Sequence, residues 1–194
     1  MTQPTEFFKT FDFGSSSSPT PNNVIEINDF YYLNGTIKQP NQKIFLMKID
    51  NTGLLIDTSI LGINTGKYYG GVFLPTDSNR LCVLYTYEYP SPSYLTNQYN
   101  IYIDTNLVLI FDTLYNRPLT IFGPNTRIGN NYYFAGITAL DNNDDTLYYY
   151  GGQIYFNGFF YKTDSNLNEI TRNSIGLYHK QESFFCIEKG FDSN

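Results

Sequence analysis

Tryptophan is absent from this 194-residue chain, histidine occurs once and cysteine twice. A Ser–His–Asp site needs its imidazole beside an activated nucleophile, and no G-x-S-x-G elbow accompanies the single His179. One His and two distant Cys also fail to give zinc-ligand spacing. Cys82 and Cys186 both sit in apolar phrases, which predicts buried free thiols, since one pair is no disulfide framework. Charge is scarce as well: 15% of residues, with a net charge of −6, which argues against an electrostatic nucleic-acid footprint. No apolar run reaches the eighteen or so residues of a membrane-crossing helix. The start, MTQPTEFFKTF, has neither the basic segment nor the apolar segment of a signal peptide. It predicts an intracellular protein, or one whose signal was removed before this numbering.

What the chain has instead is aromatic: 19 Tyr and 16 Phe, residues suited to the pleated, half-buried surface of a sheet. A strand-like phrase recurs four times. Its copies are Tyr31-Tyr32-Leu33-Asn34-Gly35, Leu81-Cys82-Val83-Leu84-Tyr85, Tyr132-Tyr133-Phe134-Ala135-Gly136 and Phe184-Phe185-Cys186-Ile187-Glu188, in steps of 50, 51 and 52 residues. A second phrase occurs three times, as Ile49-Asp50-Asn51-Thr52-Gly53, Ile103-Asp104-Thr105-Asn106-Leu107 and Thr163-Asp164-Ser165-Asn166-Leu167. Each copy lies between two strand-like runs, and its Asp, Asn, Ser and Gly are turn formers. The repetition of Asp50, Asp104 and Asp164 argues for turn capping, because a catalytic site needs one asymmetric constellation.

The unit therefore reads as an entry strand, the aromatic strand, a variable connection, a strand ending in Asp, a tight turn and an outer strand. Four strands in about fifty residues predict an all-β fold of antiparallel propeller-like blades, incomplete or small, with about four blades. No sustained 3.6-residue apolar period predicts a helix. The layout is one repeat domain over 1–194: a partial blade at 1–14, repeats at 15–62, 63–116 and 117–176, and a partial repeat at 177–194. The two cysteines then fall two repeats apart, too far to bond. Partial units at both ends predict a piece of a longer protein in preference to a self-contained ring, with open strand edges able to self-associate.

Phe8-Lys9-Thr10-Phe11 followed by Gly14 resembles the K-T-F-G phrase that closes blades in repeat-rich secreted proteins of Bacteroidota. Phe30 to Gly35 is similar to their D-G-G-Y-hydrophobic-G strand. Leu46 to Gly53 is similar to their hydrophobic-K-hydrophobic-D-x-x-G turn. The resemblance implies export to the surface or medium, often as type IX secretion cargo. This chain departs from the pattern at Leu107 and Leu167, which replace the turn Gly, and at Tyr85, which replaces the strand Gly.

Two groups of residues remain as candidate sites. Asp141, Asn143 and Asp145 place oxygens at positions 1, 3 and 5, as a calcium loop does, although Thr146 replaces the loop Gly and Gly152 the bidentate Glu. They form a weak calcium candidate, and no other cofactor is expected. Tyrosines cluster at Tyr68-Tyr69, at Tyr85, Tyr87 and Tyr89 with nearby Tyr94 and Tyr99, and at Tyr148, Tyr149 and Tyr150. Exposed Tyr beside Asn or Asp stacks on sugars or anchors protein partners, whereas buried Tyr fills the space between blades. The ligand-binding candidates are thus Tyr85, Tyr87, Tyr89, Tyr94, Tyr99, Tyr148 and Tyr150. The expected function is a non-catalytic binding or display module of a secreted or cell-surface protein, acting on a protein or glycan through Tyr- and Asn-rich loops. The alternatives are part of a glycan-active propeller enzyme whose catalytic groups lie elsewhere, or a structural spacer.

Overall fold

The computed structural model describes residues 10–12, 18–38, 42–62, 66–76, 80–88, 96–115, 120–138, 149–150, 153–154 and 157–175. Among these, all regular structure is β. The first sheet is the meander β1 (Ser18–Ile27), β2 (Phe30–Lys38), β3 (Gln42–Asp50) and β4 (Leu55–Leu61). The second repeats it with β5 (Lys67–Pro75), β6 (Arg80–Glu88), β7 (Thr96–Asp104) and β8 (Leu109–Tyr115). The third uses β9 (Thr120–Ile128), β10 (Asn131–Thr138), β13 (Asn157–Thr163) and β14 (Glu169–Ile175). A two-stranded hairpin, β11 (Tyr149–Tyr150) with β12 (Gln153–Ile154), lies in the connection between β10 and β13. Every pairing is antiparallel.

Short-range chemistry sets the hairpins. Asn28 and Asp29 both adopt positive φ (50° and 63°), the geometry of a two-residue turn matched to strand twist, and join β1 to β2. A register shift recurs beside the last turn of each sheet, between Lys48 and Ile49, Tyr102 and Ile103, and Lys162 and Thr163. Proline falls in the first strand of every sheet (Pro19 and Pro21, Pro75, Pro124), an edge strand in each, where a missing N–H costs no ladder bond.

The middle strands do not alternate between buried and exposed. Tyr32, Ile37, Ile44, Leu46 and Met47 in the first sheet, and Leu81 to Tyr87 in the second, are buried on both faces. The second sheet lies between the other two. One of its faces, carrying Leu81, Val83, Tyr85, Tyr99, Ile101 and Ile103, packs on Tyr32, Ile44 and Leu46 of the first. Its other face, with Val72, Leu74, Cys82 and Leu84, packs on Tyr132, Phe134, Phe159 and Tyr161 of the third. Strand β5 touches β1, β2 and β3 on one side and β9 on the other.

Polar bonds fix how the first two sheets slide against each other. The Tyr32 hydroxyl (3.1 Å) and the Lys48 ammonium (2.9 Å) both donate to the Thr105 carbonyl in the turn between β7 and β8. At the opposite end, the Gln42 amide acts as a strand neighbour for Tyr68, donating to its carbonyl (3.1 Å) and accepting from its N–H (3.0 Å). The Asp-bearing turns of these sheets thus lie at one end. The exits toward the variable connections, after Lys38 and Glu88, lie at the other.

Cys82 is a free thiol with no exposed surface, as its apolar phrase implied, while Cys186 lies outside the described residues. Burial pushes the Cys82 thiol up to about 12, far above the working range of a thiolate nucleophile. In a Cys186→Ser variant, a disulfide dye at pH 8 is expected to leave the native protein unlabelled and to react once denaturant unfolds it.

Candidate functional site

The three repeated aspartates build the same turn three times. In each, one carboxylate oxygen accepts from backbone N–H groups two and four residues ahead: Asp50 from Thr52 and Leu54 (both 2.9 Å), Asp104 from Asn106 (2.8 Å) and Val108 (2.9 Å), Asp164 from Asn166 and Asn168 (both 2.9 Å). The backbone closes around them identically, with Gly53, Leu107 and Leu167 donating to the Asp carbonyls. This fourth turn residue has positive φ in all three copies: 82° at Gly53, 61° at Leu107 and 65° at Leu167. Leucine resists that conformation, yet both leucines use it to pack inward. Leu107 is buried in the cluster between the first two sheets, and Leu167 packs on the one between the second and third. In each copy one carboxylate oxygen thus caps the turn.

The hydrogen bonds also set acidity. The Thr52 hydroxyl, then the backbone N–H groups, hold the Asp50 carboxyl below its ordinary value, and the Asn168 side chain does the same for Asp164.

Burial corrects the expectation of exposed tyrosine ligands. Tyr85, Tyr87 and Tyr99 share one face, but they are 0%, 2% and 3% exposed and lie between sheets. Tyr68 joins them, its ring centroid 6.1 Å from Tyr85, 5.3 Å from Tyr87 and 5.8 Å from Tyr99. Such tilted and edge-on ring pairs are worth about 0.5–1.5 kcal/mol each beyond burial, which favours the interior. The hydroxyls find partners there. Tyr85 donates toward Asn34 Oδ1 (3.0 Å), with the Gly35 carbonyl at 3.1 Å, and Tyr99 donates to Asp112. Desolvation raises the pKa of both phenols. Gly71 (φ 126°) leaves the space that Tyr85 and its partner need, since a Cβ there would meet Asn34 Oδ1 and the Tyr85 ring.

Tyr89, Tyr94 and Tyr148 lie outside the described residues, as do His179 and the calcium candidate Asp141, Asn143 and Asp145. The backbone of Tyr150 pairs with Gln153 in β11–β12. Among the described residues, no group of three or more metal-ligating side chains comes together.

An exposed aromatic does stand where the variable connection leaves the second sheet. Tyr69 is 36% exposed, and its hydroxyl donates to Glu88 Oε2 (2.7 Å), whose other oxygen pairs with Lys67 Nζ (3.1 Å). Burial, then the Glu88 bond, raises the Tyr69 pKa. The Glu88 hydrogen bond is the largest influence raising that of Lys67. This triad combines a ring face with an anion and a cation that are already oriented. The sequence signal for it was Gly70-Gly71 directly after Tyr68-Tyr69. The register shift between Tyr69 and Val72, with both glycines at positive φ (74° and 126°), leaves Tyr68 buried and Tyr69 exposed. A concavity of about 320 Å³ opens on the far face of the first sheet between Phe11, Phe45, Met47, Leu55 and Ile60.

No protein-family model matches the chain, and no curated protein sequence matches it.

Two outcomes follow from the turns. Replacing Leu107 by Gly relieves a left-handed strain of about 1–2 kcal/mol but removes a buried leucine worth about 2–5 kcal/mol. Urea unfolding is expected to show a net loss of about 1–3 kcal/mol. The lowered Asp50 and Asp164 values contribute stability that is fully present above the unfolded carboxylate pKa of about 3.9. That stability disappears as pH falls through the folded values. The melting temperature of an Asp50→Asn, Asp164→Asn variant should therefore depend less on pH in that acidic window than that of the parent.

Proposed function

We propose that this protein is a non-catalytic binding module of a secreted or cell-surface protein, with its sheets arranged radially as propeller blades. The radial reading is supported by the contacts of the first strands, β1 with β5 and β5 with β9, which run in succession along one side of the stack. It is supported too by the one turn geometry repeated at the same place in every sheet. Export rests on the resemblance of the first repeat to exported blade proteins.

The observation that carries the binding reading is the Tyr69–Glu88–Lys67 triad. The variable connections of the first two sheets leave from the same end as the triad, opposite the Asp turns. An exposed ring with a fixed carboxylate suits a ligand with one apolar face and several hydroxyls, such as a glycan: the ring stacks on the sugar and Glu88 accepts from its hydroxyls. The buried tyrosines hold the frame that presents this surface.

Glycan-array binding by the parent is expected to be lost or to fall at least about ten-fold in Tyr69→Ala, the loss of roughly 1.4 kcal/mol. A Tyr99→Phe variant, altered only in the interior, should retain it. Equal binding by Tyr69→Ala and the parent would sink the assignment of this surface, and turnover of a bound glycan would sink the non-catalytic reading.

A further inference from the structure

The face that the second sheet turns toward the third is apolar at one end and polar at the other. Near the Asp turn it carries Cys82, Leu84 and Tyr102, which pack with Tyr132 and Phe134 of the third sheet. Residues directly opposite in a ladder share a face, so the pairing carries this face outward to the exit end. Leu84 stands opposite Asn100, Thr86 opposite both Gln98 and Tyr69, and Glu88 opposite Lys67. Asn100, Gln98, Thr86, Tyr69, Glu88 and Lys67 thus form one polar strip across three strands. Its outer end is the exposed Tyr69–Glu88–Lys67 triad. Its inner end is buried, with Gln98 only 4% and Asn100 0% exposed.

That inner end holds one acceptor and one donor that the fold leaves unsatisfied. Gln98 Nε2 donates to Asn100 Oδ1 (2.8 Å), which joins the two amides, while Gln98 Oε1 and Asn100 Nδ2 have no hydrogen-bond partner. Each such group in the interior is a standing cost to the folded state. The preceding interface supplies a hydroxyl to its own buried amide. There Asn34 Oδ1 accepts from Tyr85, the fifth residue of the second aromatic phrase. The fifth residue of the third phrase is Gly136, so no hydroxyl-bearing ring stands at that position to meet Gln98 or Asn100.

We propose that the glycan-binding surface runs inward from the triad along this strip and ends on the Gln98 and Asn100 amides, which take a hydroxyl of a neutral terminal sugar. One hydroxyl completes both groups: its O–H donates to Gln98 Oε1 and its oxygen accepts from Asn100 Nδ2. Tyr69 and Gln98 lie two strand spacings apart, about 10 Å. Two linked sugars therefore serve the strip, the terminal one on the amides and the next against the Tyr69 ring. The inner end carries amides and a hydroxyl, so an acidic terminal sugar would bury its carboxylate there without a counter-charge, at a high cost. Because both amides are buried, the terminal sugar enters end-on and opens the contact at the exit end. Completing the two amides offsets part of that opening. The inference deepens the glycan reading given above and rests on it.

The test measures binding of the full chain to disaccharides that end in a neutral sugar and to counterparts of the same linkage that end in a uronate. The neutral set is expected to bind at least about ten-fold more tightly. An Asn100→Leu variant should lose at least about ten-fold in that binding, while its urea midpoint stays at or above the parent's because an unpaired donor has gone. Equal binding of the two sets overturns the proposal, and so does parent-like binding by Asn100→Leu. Should that variant fail to fold, the side-chain NH2 resonances of Gln98 and Asn100 in the parent replace it. Their movement on addition of the neutral disaccharide sustains the proposal, and fixed resonances defeat it. Loss of binding in Tyr69→Ala with Asn100→Leu unaffected removes this inference alone. Loss in Asn100→Leu with Tyr69→Ala unaffected removes the triad surface and keeps the amides as the contact.

Discussion

Burial of the middle strands on both faces is the constraint on which everything else depends. A sheet whose second and third strands are apolar on both sides cannot present either face to water, so it must be packed between neighbours. The second sheet meets that demand with the first on one side and the third on the other. Large flat rings suit the resulting gaps, and their hydroxyls must find partners there, since a buried unpaired hydroxyl is expensive. Asn34, Gly35 and Asp112 supply them for Tyr85 and Tyr99. Among the described residues, the aromatic richness is therefore mainly a packing requirement, with a few rings such as Tyr69 and Phe111 left exposed.

The strands, the turns and the absence of helix among the described residues were legible because they are governed by neighbours in sequence. Period-two patterning, Asp at a fixed place and steps of about fifty residues need no tertiary information. The fate of the tyrosines was not legible, because alternation shows which residues share a face and leaves open what that face meets. Tyr85 and Tyr87 lie on one face as expected, and the first sheet covers it. Tyr69 was hidden for the opposite reason: simple alternation miscounts across the shift that Gly70 and Gly71 introduce. The loss of the turn glycine at Leu107 and Leu167 read as a departure from the pattern. The turn is the same in all three sheets, and its left-handed residue is a leucine that is buried in the second sheet and partly buried in the third.

The two edges of each sheet are handled differently. First strands carry proline, which blocks pairing from that side. Last strands carry exposed apolar residues: Leu55, Ile56 and Ile60 on β4, Leu109 to Phe111 on β8, Ile170 on β14. Among the described residues, the proline-bearing edge is the one along which the first strands contact each other, and the exposed apolar residues lie on the opposite edge.

The meander has a kinetic meaning. Apart from the β10–β13 pairing, which spans the longest connection, every strand hydrogen-bonds to its immediate predecessor or successor in the chain. The ladder of each sheet forms with short loops to close, and the long-range cost is deferred to the docking of finished sheets. That deferred cost falls on contacts between sheets such as the one from the Lys48 ammonium to the Thr105 carbonyl, 57 residues away in the chain.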